Sequence, residues 1–139
     1  MKKLIISMIV AISFGAASLA TTLAAPFTVK IRAEIPFDFM VGKKRLPRGE
    51  YVIESLGDSG ALTIRDAKKG KAVTFNTIKS KPTDSSKSKL VFNRYGDQYF
   101  LARIWDPSSA TILKLTKSKT EKRIAREAKN SEEVSVDDK

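Results

Sequence analysis

Residues 27–41 read FTVKIRAEIPFDFMV. Every odd position is apolar: Phe27, Val29, Ile31, Ala33, Ile35, Phe37, Phe39 and Val41. The even positions are Thr28, Lys30, Arg32, Glu34, Pro36, Asp38 and Met40, and only Met40 is plainly apolar. With apolar residues at 42% of the chain, eight such hits in a row arise by chance about once in a thousand tries. A period of two sends side chains to opposite faces of a pleated strand, so one face is core and the other is wet. Fifteen extended residues would reach ~50 Å, too far for one straight strand of a small domain. Pro36 cannot donate to a ladder. The stretch therefore predicts two strands in line, or one strongly bent strand, with the alternation kept across Pro36.

The sequence before this stretch has another character. Met1-Lys2-Lys3 is a positive start, Leu4–Phe14 is apolar, and no charge appears until Lys30. Ser18-Leu19-Ala20 and Thr22-Leu23-Ala24 both fit a small-x-small cleavage pattern. This is the pattern of a secretory signal peptide, assigned to residues 1–24. Retention as an anchor is the alternative, since the run is long enough to span a bilayer; its Ser, Thr, Gly and Ala content speaks for cleavage.

After it, short apolar runs alternate with turn residues. Gly42-Lys43-Lys44-Arg45 reads as a polar loop, and Pro47 with Gly49 as a type I turn before the strand Tyr51–Glu54. Leu62–Arg65 and Ala72–Ile78 flank a loop ending in Gly70, and Lys79–Lys89 reads as a second polar loop. Lys89–Arg94 and Gln98–Trp105 are dense in β-branched and aromatic residues and flank Tyr95-Gly96-Asp97. Arg94-Tyr95-Gly96-Asp97 is a hairpin turn on this reading rather than a recognition loop, with Gly supplying positive φ. A last strand is expected within Ala110–Leu115. Ser118-Lys119-Thr120-Glu121 matches a capping box and opens a short helix.

Composition narrows the chemistry. The 139 residues contain no cysteine and no histidine. That removes disulfides, thiolate catalysis, the usual zinc ligands and the usual neutral-pH base. Net charge is +11, and about +9 once a leader with Lys2 and Lys3 is gone. Such an excess favours anionic partners, or serves only to keep an exported protein soluble.

Three groups of residues are candidates for function. From Lys114 to Lys129 run seven cations, Lys114, Lys117, Lys119, Lys122, Arg123, Arg126 and Lys129, against Glu121 and Glu127 alone. Their apolar stripe is too narrow for deep insertion, so membrane contact through them would be electrostatic and peripheral. Glu132, Glu133, Asp137 and Asp138 follow and are expected to act as an internal competitor. Tyr95, Tyr99 and Trp105, with Arg94 and Arg103, suggest an aromatic surface for stacking; on a regular strand Tyr99, Leu101, Arg103 and Trp105 share a face. Aromatic-rich strands are also the ordinary way to fill a β core. Glu34, Asp38, Glu50 and Glu54 are the acids a catalyst would draw on, but no spacing singles out a pair. There is no nucleophile elbow, P-loop, dinucleotide fingerprint or metal-ligand cluster. No catalytic, cofactor-binding or metal residue is assigned, and no cofactor is expected.

Two stretches carry a resemblance. Glu34–Phe39 with Leu46–Tyr51, and Lys89–Leu101, resemble a group of small, secreted, uncharacterised bacterial β proteins with an IPFDF…LPxGEY…LVFxRYGDxYFL pattern. The resemblance implies a compact β domain and brings no activity, ligand or catalytic residue. Where members often carry a histidine, this chain has Asn93, so no role attaches to that position by resemblance.

The reading is all-β: a small antiparallel barrel or sandwich of six to eight strands over residues 27–116, after the signal peptide. A basic helix over 117–129 and a disordered acidic tail over 130–139 follow. The expected role is a non-catalytic binding or structural module, secreted or periplasmic. Weak binding of a polyanion or anionic membrane through the basic segment is the alternative, and an enzyme of unknown type the third reading. The partner is left unknown, with an anionic envelope component as the candidate. No specific nucleic acid is expected, nor integral membrane insertion after cleavage.

Overall fold

The computed structural model describes residues 28–56, 60–81, 87–107 and 111–139. The signal-peptide assignment, and residues 82–86 of the Lys79–Lys89 loop, lie outside the described residues. Strands β1 (Thr28–Ile35) and β2 (Phe39–Val41) come from the alternating stretch, broken at Pro36 as its chemistry requires. Then follow β3 (Lys44–Leu46), β4 (Gly49–Leu56), β5 (Ala61–Asp66), β6 (Ala72–Ser80), β7 (Lys89–Tyr95), β8 (Gln98–Asp106) and β9 (Thr111–Leu115). Helix α1 (Lys119–Glu127) and strand β10 (Glu132–Asp137) end the chain.

The alternation persists through the break. Ile31, Ala33, Ile35, Phe39 and Val41 are each at most 2% exposed, while Lys30, Arg32, Glu34, Pro36 and Asp38 are exposed. Phe37 sits in the bend and is only half-buried; its ring stacks on Tyr99 at 3.8 Å between centroids. β1 pairs with β4 so that Ala33 lies opposite Tyr51 and Ile35 opposite Gly49. Large thus meets small across the ladder. On the wet face Lys30 reaches Glu54 at 3.5 Å and Arg32 reaches Glu50 at 3.6 Å.

The described residues are all-β apart from α1. Their ten strands form one open sheet in the order β1-β4-β5-β6-β9-β8-β2-β3, with β7 on the other edge of β8 and β10 beyond it. β6 serves both halves: Ala72–Asn76 pair with β5 and Thr77–Ser80 with β9. The single β2–β8 bridge, Met40 to Phe100, is parallel. One core lies inside, centred on Ile53, Leu90, Phe92, Ile104 and Tyr51 with the buried positions of β1 and β2.

Three expectations change. Among the described residues ten strands replace six to eight, partly because Lys44 and Arg45, expected as loop, lie in the strand Lys44–Leu46. Gly42, at φ +59°, lets Gly42-Lys43 turn tightly enough for β3 to pair with β2. The acidic tail, expected to be disordered, is β10. β8 covers only one edge of β7, and the other edge offers a row of backbone donors and acceptors. β10 takes that edge with Val134 opposite Phe92 and Val136 opposite Leu90. Lys139 N–H then donates to the Arg32 carbonyl at 2.8 Å, which brings the C-terminal residues against β1.

The third change is a bulge. Phe92 pairs with Leu101, but Val91 pairs with Arg103, so Ala102 is left without an opposite residue. An extra residue reverses the alternation beyond it. Tyr99 and Leu101 pack toward the core, whereas Arg103 and Trp105 leave on the opposite face.

Candidate functional site

The basic segment begins where β9 ends. Ser118 is the N-cap of α1, and its hydroxyl accepts the Glu121 N–H at 3.1 Å. That is half of the expected capping box. The Glu121 carboxylate turns into the sheet instead, where Oε1 accepts from Asn93 Nδ2 at 3.0 Å and from Tyr95 Oη at 3.3 Å. Glu121 is 5% exposed, so a buried carboxylate anchors the helix. Two donors on one oxygen offset much of the desolvation that such a group suffers.

This anchor sorts the cations. Lys119, Lys122, Arg123, Arg126 and Lys129 are exposed on and after α1, and Lys114 and Lys117 are exposed before it. Arg123 pairs with Glu127 at 3.6 Å, an i,i+4 contact with both side chains 65% exposed, and such pairs contribute little. Lys114 and Lys117 border a cavity of about 250 Å³ that Arg103, Asn93, Glu121 and Glu133 also line.

Of the acidic residues, Glu133 shares the lining of that cavity with Lys114 and Lys117, but its ion pair is with neither. Glu133 pairs with Arg103 at 2.6 Å and Glu132 with Arg94 at 3.5 Å, both across strands. Asp138 accepts the Arg32 N–H at 3.1 Å. The tail is part of the sheet rather than folded along the helix.

Nor do Tyr95, Tyr99 and Trp105 form one surface. Tyr95 is 5% exposed and bonded to Glu121. Tyr99 is stacked on Phe37, and the Arg94 guanidinium lies 5.4 Å from its ring. Trp105 is half-buried under the Lys89 ammonium, 4.6 Å from the ring centroid. The bulge at Ala102 is what separates Tyr99 from Trp105.

The four acids weighed for catalysis all hold cations. Glu34 pairs with Lys139 at 3.5 Å, and Asp38 with Arg45 at 3.2 Å. Glu50 and Glu54 hold Arg32 and Lys30. Asp38 also accepts the Arg48 N–H at 3.0 Å. That backbone donor, with Arg45 beside it, holds its carboxyl below the usual range. Tyr51 Oη donates to the Pro47 carbonyl at 2.6 Å, and burial raises the phenol above its usual value. These contacts give the IPFDF and LPRGEY stretches a structural reason. In the second stretch, Gly96 turns at φ +61° and Arg94 Nε donates to its carbonyl at 2.8 Å, as a hairpin turn demands. Asp38, Arg45, Asp97 and Tyr99 share the lining of a cavity of about 120 Å³ where the two stretches meet. Among the described residues no group of three or more carboxylates is placed to hold a metal ion, and no helix is long and apolar enough to cross a membrane.

Glu121, Asn93, Arg103 and Glu133 were missed as neighbours in the sequence. Only the registers of β7 with β8 and β10, and of β8 with β9, bring them together. No family model, curated protein or solved structure matches the chain.

Proposed function

We propose that this chain is an exported, non-catalytic β module of the periplasm or cell envelope, with a binding or structural role. The leader-like residues 1–24 support export. The observation that carries the rest is how the polar groups are used. The acids that a catalyst would draw on are joined to cations, and Glu121, buried like Asp106, holds the helix to the sheet. The cavities of about 120 and 250 Å³ are smaller than the ~300–1,000 Å³ usual for small-molecule sites. A barrel-like wrap is the finer reading of the fold, supported by the single core and the Lys139–Arg32 backbone contact. The resemblance to small secreted bacterial β proteins agrees with this proposal. Cell fractionation tests it: the protein should leave with the periplasmic or envelope fraction, and cytosolic recovery would contradict export.

A second reading, peripheral contact with an anionic envelope component, is favoured by the exposed cations Lys119, Lys122, Arg123, Arg126 and Lys129. Vesicle flotation checks it. The protein should float with anionic but not with neutral vesicles at low salt. About 0.5 M salt should release it, because screening then acts over a few ångströms. No flotation at low salt would leave the charge as a solubility device.

A further inference from the structure

The β8–β9 ladder sets Arg103 directly opposite Lys114. Like charges so placed destabilise an antiparallel pair, and a locally unfavourable arrangement is where function is to be sought. Arg103 spends Nη2 on Glu133 at 2.6 Å, and its Nε–H is buried with no hydrogen-bond partner. Buried donors are as a rule paired. Lys117 follows the end of β9 and brings a third cation to the same cavity of about 250 Å³. The carboxylates in its lining are both engaged, Glu133 by Arg103 and Glu121 by Asn93 and Tyr95. Among the described residues no ion pair involves Lys114 or Lys117. The unspent donors of the cavity therefore include the ammonium groups of Lys114 and Lys117.

We propose that this cavity binds a phosphate group, free or carried by a lipid headgroup. Lys114 and Lys117 reach the phosphate oxygens, and Arg103 behind them supplies fixed charge. A compact, strongly charged anion suits two mobile ammonium groups and a fixed guanidinium. The site goes beyond the peripheral-contact reading, which needs only a diffuse field from the solvent face of α1.

Titration calorimetry of the chain with inorganic phosphate at low ionic strength is the test. One variant carries Lys114→Gln with Lys117→Gln; the control carries Lys122→Gln with Arg126→Gln; circular dichroism confirms that both fold. Saturable binding of about one phosphate per chain is expected. The first variant should weaken it by about tenfold or more, the scale of a lost charge-assisted hydrogen bond. The control should stay within about twofold, because Lys122 and Arg126 do not line the cavity and act on it only through high-dielectric solvent. No saturable binding, or equal losses in the two variants, overturns the site; equal losses would leave the diffuse-field reading intact. Flotation with phosphatidic acid vesicles then names the source. Flotation that inorganic phosphate reverses points to a headgroup, and phosphate binding without flotation points to the free ion; either result supports the site.

Discussion

Phe39 and Lys30 belong to one alternating stretch and end in opposite media. Phe39 is 1% exposed, with its ring edge-on to Tyr51 at 5.2 Å and to Phe92 at 5.5 Å. The Lys30 side chain is 65% exposed beside Glu54. Phe39→Ala should cost ~3–5 kcal/mol, because the ring is lost and its space cannot fully collapse. Lys30→Ala should cost less than ~0.5 kcal/mol. Urea unfolding of the two variants checks this, and equal losses would refute the assignment of faces. At this scale the sequence was most legible, since a period of two carries through Pro36 to Val41. It was less so at Phe37, where the bend leaves the ring at the rim, and beyond Ala102, where one extra residue inverts the face. The local hint of that bulge is Arg103, which an unbroken alternation would put on the core face beside Leu101.

β10 is the element for which composition misled. EEVSVD is acidic and short, and alone it has no reason to be a strand. Its two valines meet Phe92 and Leu90 across the ladder, and Glu132 and Glu133 meet Arg94 and Arg103. The open edge of β7 supplies what the segment lacks. Deleting residues 130–139 should therefore lower stability by on the order of 3–5 kcal/mol, from several ladder hydrogen bonds and two half-buried valines. The urea midpoint reads this directly, and an unchanged midpoint would mean that the segment is dispensable. The same deletion cannot report on charge alone, since it removes a strand with the acids. α1 shows the converse case. Ser118-x-x-Glu121 correctly marked its start, but the glutamate serves the sheet. Asn93 and Tyr95 lie 28 and 26 residues away in sequence, a separation that no capping motif encodes.

For the whole molecule, the apolar alternation made the all-β class legible, while the order of strands was not. That order depends on β6 pairing with β5 and then β9, and on the C-terminal residues reaching β1. The candidate cations were legible as a run in sequence, but the division between a solvent face on α1 and a cavity at Arg103, Lys114 and Lys117 was not. Both functional readings require the protein to leave the cytoplasm. Intact-mass measurement of the protein taken from its native cells tests that requirement most directly. The predicted result is a single species that has lost its N-terminus by cleavage between Ala20 and Pro26. A mass that still includes Met1–Ala20 in protein recovered from the cytosol would contradict it.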